Sequence, residues 1–208
     1  MDFYIWLTMV AAALIISISP GAGAITTINN TLNYGFKRSF ATILGLQMGY
    51  LAQIIIVAVG LGGIIASSAT LFNIIKWIGV LYLIYLGLMQ FVSSNVGFKS
   101  KKMTKEFSFK RSFLEALLIN VTNPKATVFL LAFIPQFLAP SQPKFMQIMI
   151  ICTTLICADF AVMSCYGMLS STMRKRVNDP KIMRIQNRIT GTALIFAAIF
   201  LSQSSNRL

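Results

Sequence analysis

The chain has 208 residues, of which 56% are hydrophobic and only 11% are charged. A soluble domain is about 25% charged, and a soluble protein this apolar would expose patches that aggregate, so the composition excludes the soluble class. The net charge of +13 does not indicate nucleic-acid binding, because the basic residues fall in short stretches between apolar runs, as they do in membrane proteins.

Six apolar windows follow one another along the chain, and each is long enough for a membrane-spanning helix of about 20 residues. The first window follows a start that lacks a basic segment and a convincing cleavage site, so we interpret it as a retained helix rather than a signal peptide. The predicted fold is an all-α integral membrane protein with six transmembrane helices in one domain, residues 1–208. The windows are residues 3–28, 39–65, 71–92, 112–138, 146–170 and 188–204.

The basic residues between these windows predict the orientation of the helices. Two follow the first window, six follow the third and six follow the fifth, which places fourteen on one side of the membrane against three on the other. Lys and Arg concentrate in cytoplasmic loops, so we predict that the fourteen face the cytoplasm and that both termini face outside. The fourteen are Lys37, Arg38, Lys99, Lys101, Lys102, Lys105, Lys110, Arg111, Arg174, Lys175, Arg176, Lys181, Arg184 and Arg188, and the three are Lys76, Lys144 and Arg207.

Two windows contain a proline that should interrupt the helix. Pro20 lies in the first window and Pro124 in the fourth, 104 residues apart, which is half of the chain. Proline removes a backbone donor and clashes with the preceding turn, so each is predicted to break its helix. Three crossings per half make the second half run opposite to the first, which predicts a 3+3 inverted repeat with halves of about 1–98 and 99–208. Two unrelated proline kinks are the alternative interpretation.

The two breaks are candidate substrate-binding positions. A broken helix exposes N-terminal N–H groups with a partial positive charge, which suit a carboxylate or another anionic group. Ser19 and Asn123 directly precede the prolines and are therefore the favoured side chains for substrate contact. Gly21 would permit close approach of the backbone.

Two charged residues lie deep inside apolar windows, Lys125 in the fourth and Asp159 in the fifth. A charge at the centre of a spanning helix costs about 2.5–3.5 kcal/mol, so such residues are usually paired or functional. Three interpretations remain open. The two residues form a structural ion pair, or they hold the carboxylate and the ammonium of a substrate, or Asp159 carries a proton for coupling.

Four glycines are predicted to let neighbouring helices approach closely. Gly45 and Gly49 form a GxxxG pattern in the second window, and Gly79 and Gly87 lie two turns apart in the third. Packing is the default interpretation of such glycines.

Missing residue types argue against other functions. The chain has no histidine, and its three cysteines form no CxxC pair, so an intramembrane protease or a thiol oxidoreductase is not expected and no cofactor is predicted. A hard metal ion needs several oxygen ligands, and one deep aspartate is too few for a site. Export of metal ions or another small solute on the same fold stays the alternative function.

Motifs spread over nearly the whole chain resemble the LysE/RhtB family of amino-acid exporters. The combination of the Ser-Pro-Gly motif with the Asn-Pro-Lys motif and a later Pro-Gln-Phe is the most specific part of the resemblance. One departure is Ala22, which replaces the second proline of the family's Ser-Pro-Gly-Pro. The matching segments are Ser19-Pro20-Gly21, Gly45 with Gly49, Lys76-Trp77-Ile78-Gly79, Tyr82-Leu83-Ile84-Tyr85-Leu86-Gly87, Asn123-Pro124-Lys125, Phe133-Ile134-Pro135-Gln136-Phe137, and Asp159 with Tyr166.

This resemblance implies a secondary exporter in a bacterial inner membrane that uses the proton gradient. The implied substrates are amino acids or derivatives such as homoserine, threonine, leucine or basic amino acids, and no residue here chooses among them. The expected partners are this substrate and membrane lipid, with a homodimer left open and no nucleic acid. The predicted substrate-binding residues are Ser19, Pro20, Gly21, Asn123, Pro124, Lys125 and Asp159, with Asp159 also the candidate for proton coupling.

Overall fold

A computed structural model describes residues 3–19, 21–67, 69–92, 106–138, 142–172 and 180–203. Within these ranges all regular structure is helical and no strand occurs, as the apolar windows predict. The helices are α1 (Phe3–Ile18), α2 (Ala22–Tyr34), α3 (Phe36–Ser67), α4 (Ala69–Val92), α5 (Phe109–Val121), α6 (Pro124–Phe133), a 3-10 helix (Ile134–Phe137), α7 (Lys144–Thr172) and α8 (Pro180–Gln203).

The helices differ in how well they fit the thickness of a bilayer. In α3 and α7, residues 36–60 and 144–172 are each long and apolar enough to cross a membrane. The pairs α1–α2 and α5–α6 reach that length only when each bent pair counts as one span. The described parts of α4 and α8 contain shorter apolar stretches, Trp77–Val92 and Asn187–Ile199. The described residues therefore contain two to four candidate spans, and six crossings remain a prediction.

The chain bends by 53° between α5 and α6, at Pro124. Asn123 is extended (φ −77°, ψ 106°), as expected for a residue before proline, and its side chain accepts a hydrogen bond of 3.1 Å from the Lys125 N–H. Pro124 then occupies the first turn of α6, where a missing N–H costs nothing. Pro124 thus accounts both for the end of α5 and for the start of α6.

A similar bend of 58° separates α1 from α2. Pro20, the predicted cause, lies outside the described residues. Gly21 caps α2 in an extended conformation, and Ala22 is the first helical residue. Ala22 therefore occupies the position where proline is most easily accommodated in a helix. The bend is present without the second proline of the family motif.

Contacts between helices show which of them run in the same direction. Trp6 at the start of α1 donates to Thr154 (3.1 Å), and the Tyr166 hydroxyl donates to the carbonyl of Ile18 at the end of α1 (2.7 Å), so α1 and α7 are parallel. Helices α3 and α5 are also parallel, whereas α4 and α8 are antiparallel. Each pair joins one helix from each half of the chain.

The glycines predicted to mediate packing do lie at close helix contacts. A Cβ at Gly49 would lie 2.6 Å from the Leu117 carbonyl oxygen of α5, and one at Gly45 would clash with the backbone of the preceding turn of α5. Gly79 faces Ala132 of α6, and a Cβ at Gly87 would lie 2.9 Å from the Gly191 carbonyl of α8. The packing interpretation is confirmed, and the third-window glycines contact two different helices rather than one.

Basic side chains gather at one end of the bundle. Lys37 and Arg38 begin α3, Lys110 and Arg111 begin the parallel α5, and the Arg38 guanidinium lies 5.4 Å from the Phe107 ring. The start of α8 lies at this end too, because α7 finishes beside the start of α3. The loop residues Lys99, Lys101, Lys102, Lys105, Arg174, Lys175 and Arg176, and also Arg207, lie outside the described residues.

Two apolar clusters form the core. The larger joins α1, α3, α4, α6, α7 and α8 around Phe129 and Phe133, whose rings stack at 4.6 Å. The smaller joins α2, α3, α5 and α7 around Leu46 and Met163. A layer of polar side chains separates the two clusters, and it contains both helix breaks.

Candidate functional site

A cavity of about 60 Å³ lies between the two apolar clusters. Both breaks open into it, together with parts of α3 and α7. A cavity of this size holds about four water molecules. It is much smaller than the 300–1,000 Å³ typical of pockets for drug-sized ligands, and it therefore suits the polar part of a small solute.

Five of the seven predicted site residues line this cavity. They come from both broken helices and from α7: Ser19, Gly21, Asn123, Lys125 and Asp159. Pro124 does not line it, because its exposed ring lies on the first turn of α6 and serves to start that helix. The seventh residue, Pro20, lies outside the described residues.

Lys125 links the two halves of the chain across the cavity. Its Nζ donates to the Ser19 backbone carbonyl at 2.9 Å and to the Ser19 hydroxyl at 2.5 Å. The Ser19 carbonyl follows the last turn of α1, where helix carbonyls lack intrahelical partners and carry partial negative charge. An ammonium group therefore both satisfies and stabilises the end of α1, while the Tyr166 hydroxyl satisfies the neighbouring carbonyl of Ile18.

The second break is satisfied by a residue that sequence reasoning missed. Gln53 on α3 is only 3% exposed, and its Nε2 lies within hydrogen-bonding distance of three acceptors. These are the carbonyls of Val121 (3.1 Å) and Asn123 (3.2 Å) and the Thr127 hydroxyl (2.7 Å). Each break is thus supported by a polar side chain of the helix that packs beside it, Tyr166 of α7 at the first and Gln53 of α3 at the second.

Asp159 also accepts a hydrogen bond from a side chain of α3. The Gln47 Nε2 donates to Asp159 Oδ2 at 2.8 Å, and Ser17 on α1 lies close to the same carboxylate. Gln47 Oε1 is buried without a hydrogen-bond partner. Among the described residues, the Gln47 amide is therefore held only through its hydrogen bond to Asp159, and it supports the carboxylate rather than the backbone of a helix break.

Lys125 and Asp159 both face the cavity, but they do not form an ion pair. Both residues are described, and no Lys125 nitrogen lies within 4.0 Å of an Asp159 oxygen. Each charge instead has neutral partners, Ser19 for Lys125 and Gln47 for Asp159. The geometry leaves a positive and a negative group more than 4.0 Å apart on the lining of one small cavity, an arrangement that suits a zwitterion.

Sequence reasoning missed the contribution of α3 to the site. Gln47, Tyr50 and Gln53 are buried, and Tyr50 lines the cavity directly. The two glutamines could have been predicted to matter, because they lie in an otherwise apolar window and polar groups are kept inside a membrane only where they have partners. Among the described residues, no group of three or more His, Cys, Asp or Glu side chains is placed to hold a metal ion.

Comparison with known proteins gives one consistent family. The profile of LysE type translocators matches residues 14–205. The homoserine/homoserine lactone efflux protein of Salmonella typhimurium is 35% identical over 204 residues, which cover 98% of both chains.

Two relatives without a stated activity also match over nearly the whole length of both chains. An uncharacterized membrane protein of Vibrio cholerae is 34% identical and covers 97% of this chain and 98% of its own. A membrane protein of Bacillus subtilis is 29% identical over 91% of this chain and 94% of its own. No solved structure matches the chain.

Proposed function

Because this chain belongs to the LysE type translocator family, we propose that it is a secondary exporter that moves amino acids or their derivatives out of the cell. The family and the full-length efflux relatives support a membrane exporter of small molecules. The observation that carries the finer proposal is the separation of Lys125 from Asp159 across one cavity. Opposite charges that do not pair are available to the two ends of an amino acid.

Homoserine and homoserine lactone are the substrates we propose first, since the Salmonella relatives are named for their efflux. The amino group is common to both molecules, whereas the lactone has no free carboxylate. Asp159 is assigned to the shared ammonium, and Lys125 with the nearby helix breaks to the carboxylate. Ser19, Gly21 and Asn123 complete the binding surface through short polar groups and exposed backbone.

Alternating access is proposed to follow from two opposed halves. The pairing of α1 with α7 and of α3 with α5 is what an inverted repeat requires, because exchanging the halves converts one pair into the other. The polar layer lies between two separate apolar clusters. Rocking of one half against the other would loosen one cluster at a time and expose the cavity alternately to each side.

Coupling to the proton gradient is proposed to use Asp159. It is the only acidic side chain lining the cavity among the described residues. A carboxyl group that alternates between a proton and a substrate ammonium would exchange one for the other as the halves rock. Gln47 keeps the carboxylate directed at the cavity in both states.

Efflux from loaded cells tests this function. Cells that lack their own homoserine exporters are loaded with homoserine or its lactone, and we expect the chain to accelerate efflux of both. A protonophore should remove this acceleration if transport is proton-coupled. Efflux that persists after collapse of the gradient would exclude proton coupling, and the absence of export of any amino acid or derivative would refute the proposed substrate class.

The proposed orientation places the basic end of the bundle in the cytoplasm and both termini outside. Alkaline phosphatase is active only outside the cytoplasm, so we expect a fusion after Lys105 to be inactive and a fusion after Pro143 to be active. Both sites flank described helices at opposite ends of the bundle. Activity of the Lys105 fusion would reverse the orientation.

A further inference from the structure

Tyr50 brings to the cavity a polar group that the described residues leave unsatisfied. It lies in the middle of α3, its side chain is only 5% exposed, and it lines the cavity. Among the described residues, none forms a hydrogen bond with its hydroxyl. Burying a hydroxyl without a hydrogen bond is costly, so the partner of this group has to come from the contents of the cavity.

The packing of α3 holds Tyr50 in its position. Its side chain belongs to the larger apolar cluster, so the ring is fixed by its neighbours. Gln47, about one turn earlier on α3, donates to Asp159, and Gln53, about one turn later, supports the second break. Tyr50 lies between these two glutamines on the helix, and the Asp159 carboxylate interacts with it electrostatically. The hydroxyl therefore lies near the group assigned to the substrate ammonium.

A hydroxyl donor at this position matches a feature that homoserine and its lactone share. The side-chain oxygen of homoserine becomes the ring oxygen of the lactone, where it carries no hydrogen. Only a donor can therefore bind this oxygen in both molecules. The amides of Gln47 and Gln53 already donate to acceptors of the protein, whereas the Tyr50 hydroxyl has its hydrogen available.

Resting on the exporter function proposed above, we propose that Tyr50 selects substrates with a side-chain oxygen by donating a hydrogen bond to that oxygen. A substrate that displaces solvent from the cavity must replace the hydrogen bond that solvent gives to this hydroxyl. An analogue with a methyl group in place of the oxygen leaves the hydroxyl buried and unpaired, and a site of this kind rejects such an analogue. Tyr50 thus adds side-chain selectivity to a cavity in which Lys125 and Asp159 bind the groups common to amino acids.

Norvaline provides the test, because it differs from homoserine only by a methyl group in place of the side-chain hydroxyl. Cells with and without the full-length chain are loaded with homoserine and norvaline together at equal concentrations, and both initial efflux rates are measured. We expect the chain to export homoserine at least about tenfold faster than norvaline. Equal acceleration of the two would overturn the role of Tyr50 alone, whereas acceleration of neither would refute homoserine export and this inference with it.

The variant Tyr50→Phe isolates the hydroxyl, because it keeps the ring. Efflux of homoserine should fall while that of norvaline holds or rises, so that the ratio of the two rates falls about tenfold. Tyr85→Phe removes the hydroxyl of an exposed tyrosine on α4 and should keep the wild-type ratio. Immunoblots compare the membrane content of the variants. An unchanged ratio in Tyr50→Phe contradicts the inference, since a purely structural role would slow both solutes equally.

Discussion

Replacing Asp159 by Asn should strongly reduce efflux of homoserine and of its lactone alike, whereas Lys125→Met should impair homoserine far more than the lactone. Loss of a hydrogen bond to a charged group costs about 1.5–3 kcal/mol, which corresponds to about a 10- to 160-fold fall in transport. The difference between the variants arises because both substrates carry the amino group and only homoserine carries the carboxylate. Initial efflux rates from cells loaded with each substrate measure it.

Matched controls separate this effect from general damage. Glu115→Gln removes a carboxylate that forms an exposed ion pair with Arg111, and Lys110→Met removes an exposed cation from the same helix. Both should leave efflux unchanged, since exposed ion pairs contribute little. Membrane content of each variant is compared by immunoblot, because Lys125→Met also leaves the Ser19 carbonyl without its donor. If both cavity variants export normally, Lys125 and Asp159 are not the binding site.

Replacing Gly49 by Leu should prevent α3 from packing on α5. Even a Cβ at this position would lie 2.6 Å from the Leu117 carbonyl oxygen and 2.9 Å from the Asn120 Cβ, which is closer than such atoms approach. The backbone of α5 must shift, and overpacking of this kind costs about 3 kcal/mol or more. For a chain of this length that corresponds to a fall in Tm of about 6–12 °C, measured by thermal unfolding in detergent.

Gly60 provides the control on the same helix. Nothing lies within 4 Å of a Cβ built at Gly60, and its backbone does not need glycine. Gly60→Leu should therefore keep Tm or raise it slightly, because leucine favours a helix over glycine by just under about 1 kcal/mol. Equal Tm values for the two variants would show that the α3–α5 contact is not as close as described.

The features that sequence predicts best are those set by local chemistry. Composition predicts that the protein lies in a membrane. Proline predicts the helix breaks, because its ring clashes with the preceding turn whatever the surrounding fold. Asn123 and Pro124 illustrate this, since the capping side chain and the proline at the first turn of α6 are adjacent in sequence. The packing role of Gly45 and Gly49 was predictable for a similar reason, because their spacing places them on one helix face.

Partners that lie far apart in the chain were not predictable in this way. Nothing local to Lys125 indicates that its ammonium contacts Ser19, which lies 106 residues earlier. Nothing in the sequence around Gln53 indicates that its amide contacts the carbonyls of Val121 and Asn123, which lie about 70 residues later. Pro124, a predicted binding residue, starts α6 and does not line the cavity, whereas its neighbours Asn123 and Lys125 do.

The sequence by itself determined that this protein is helical, that it belongs in a membrane and where its helices break, because each of these depends on hydropathy or on the backbone of a few consecutive residues. The tertiary structure decided which groups meet at the breaks. It left Lys125 and Asp159 apart, each with a neutral partner, because the ends of α1 and α5 supply unsatisfied carbonyls that draw Lys125 and Gln53 toward the backbone. A helix break in an apolar medium must find donors from elsewhere in the fold, and only the packing of distant helices determines which side chains provide them.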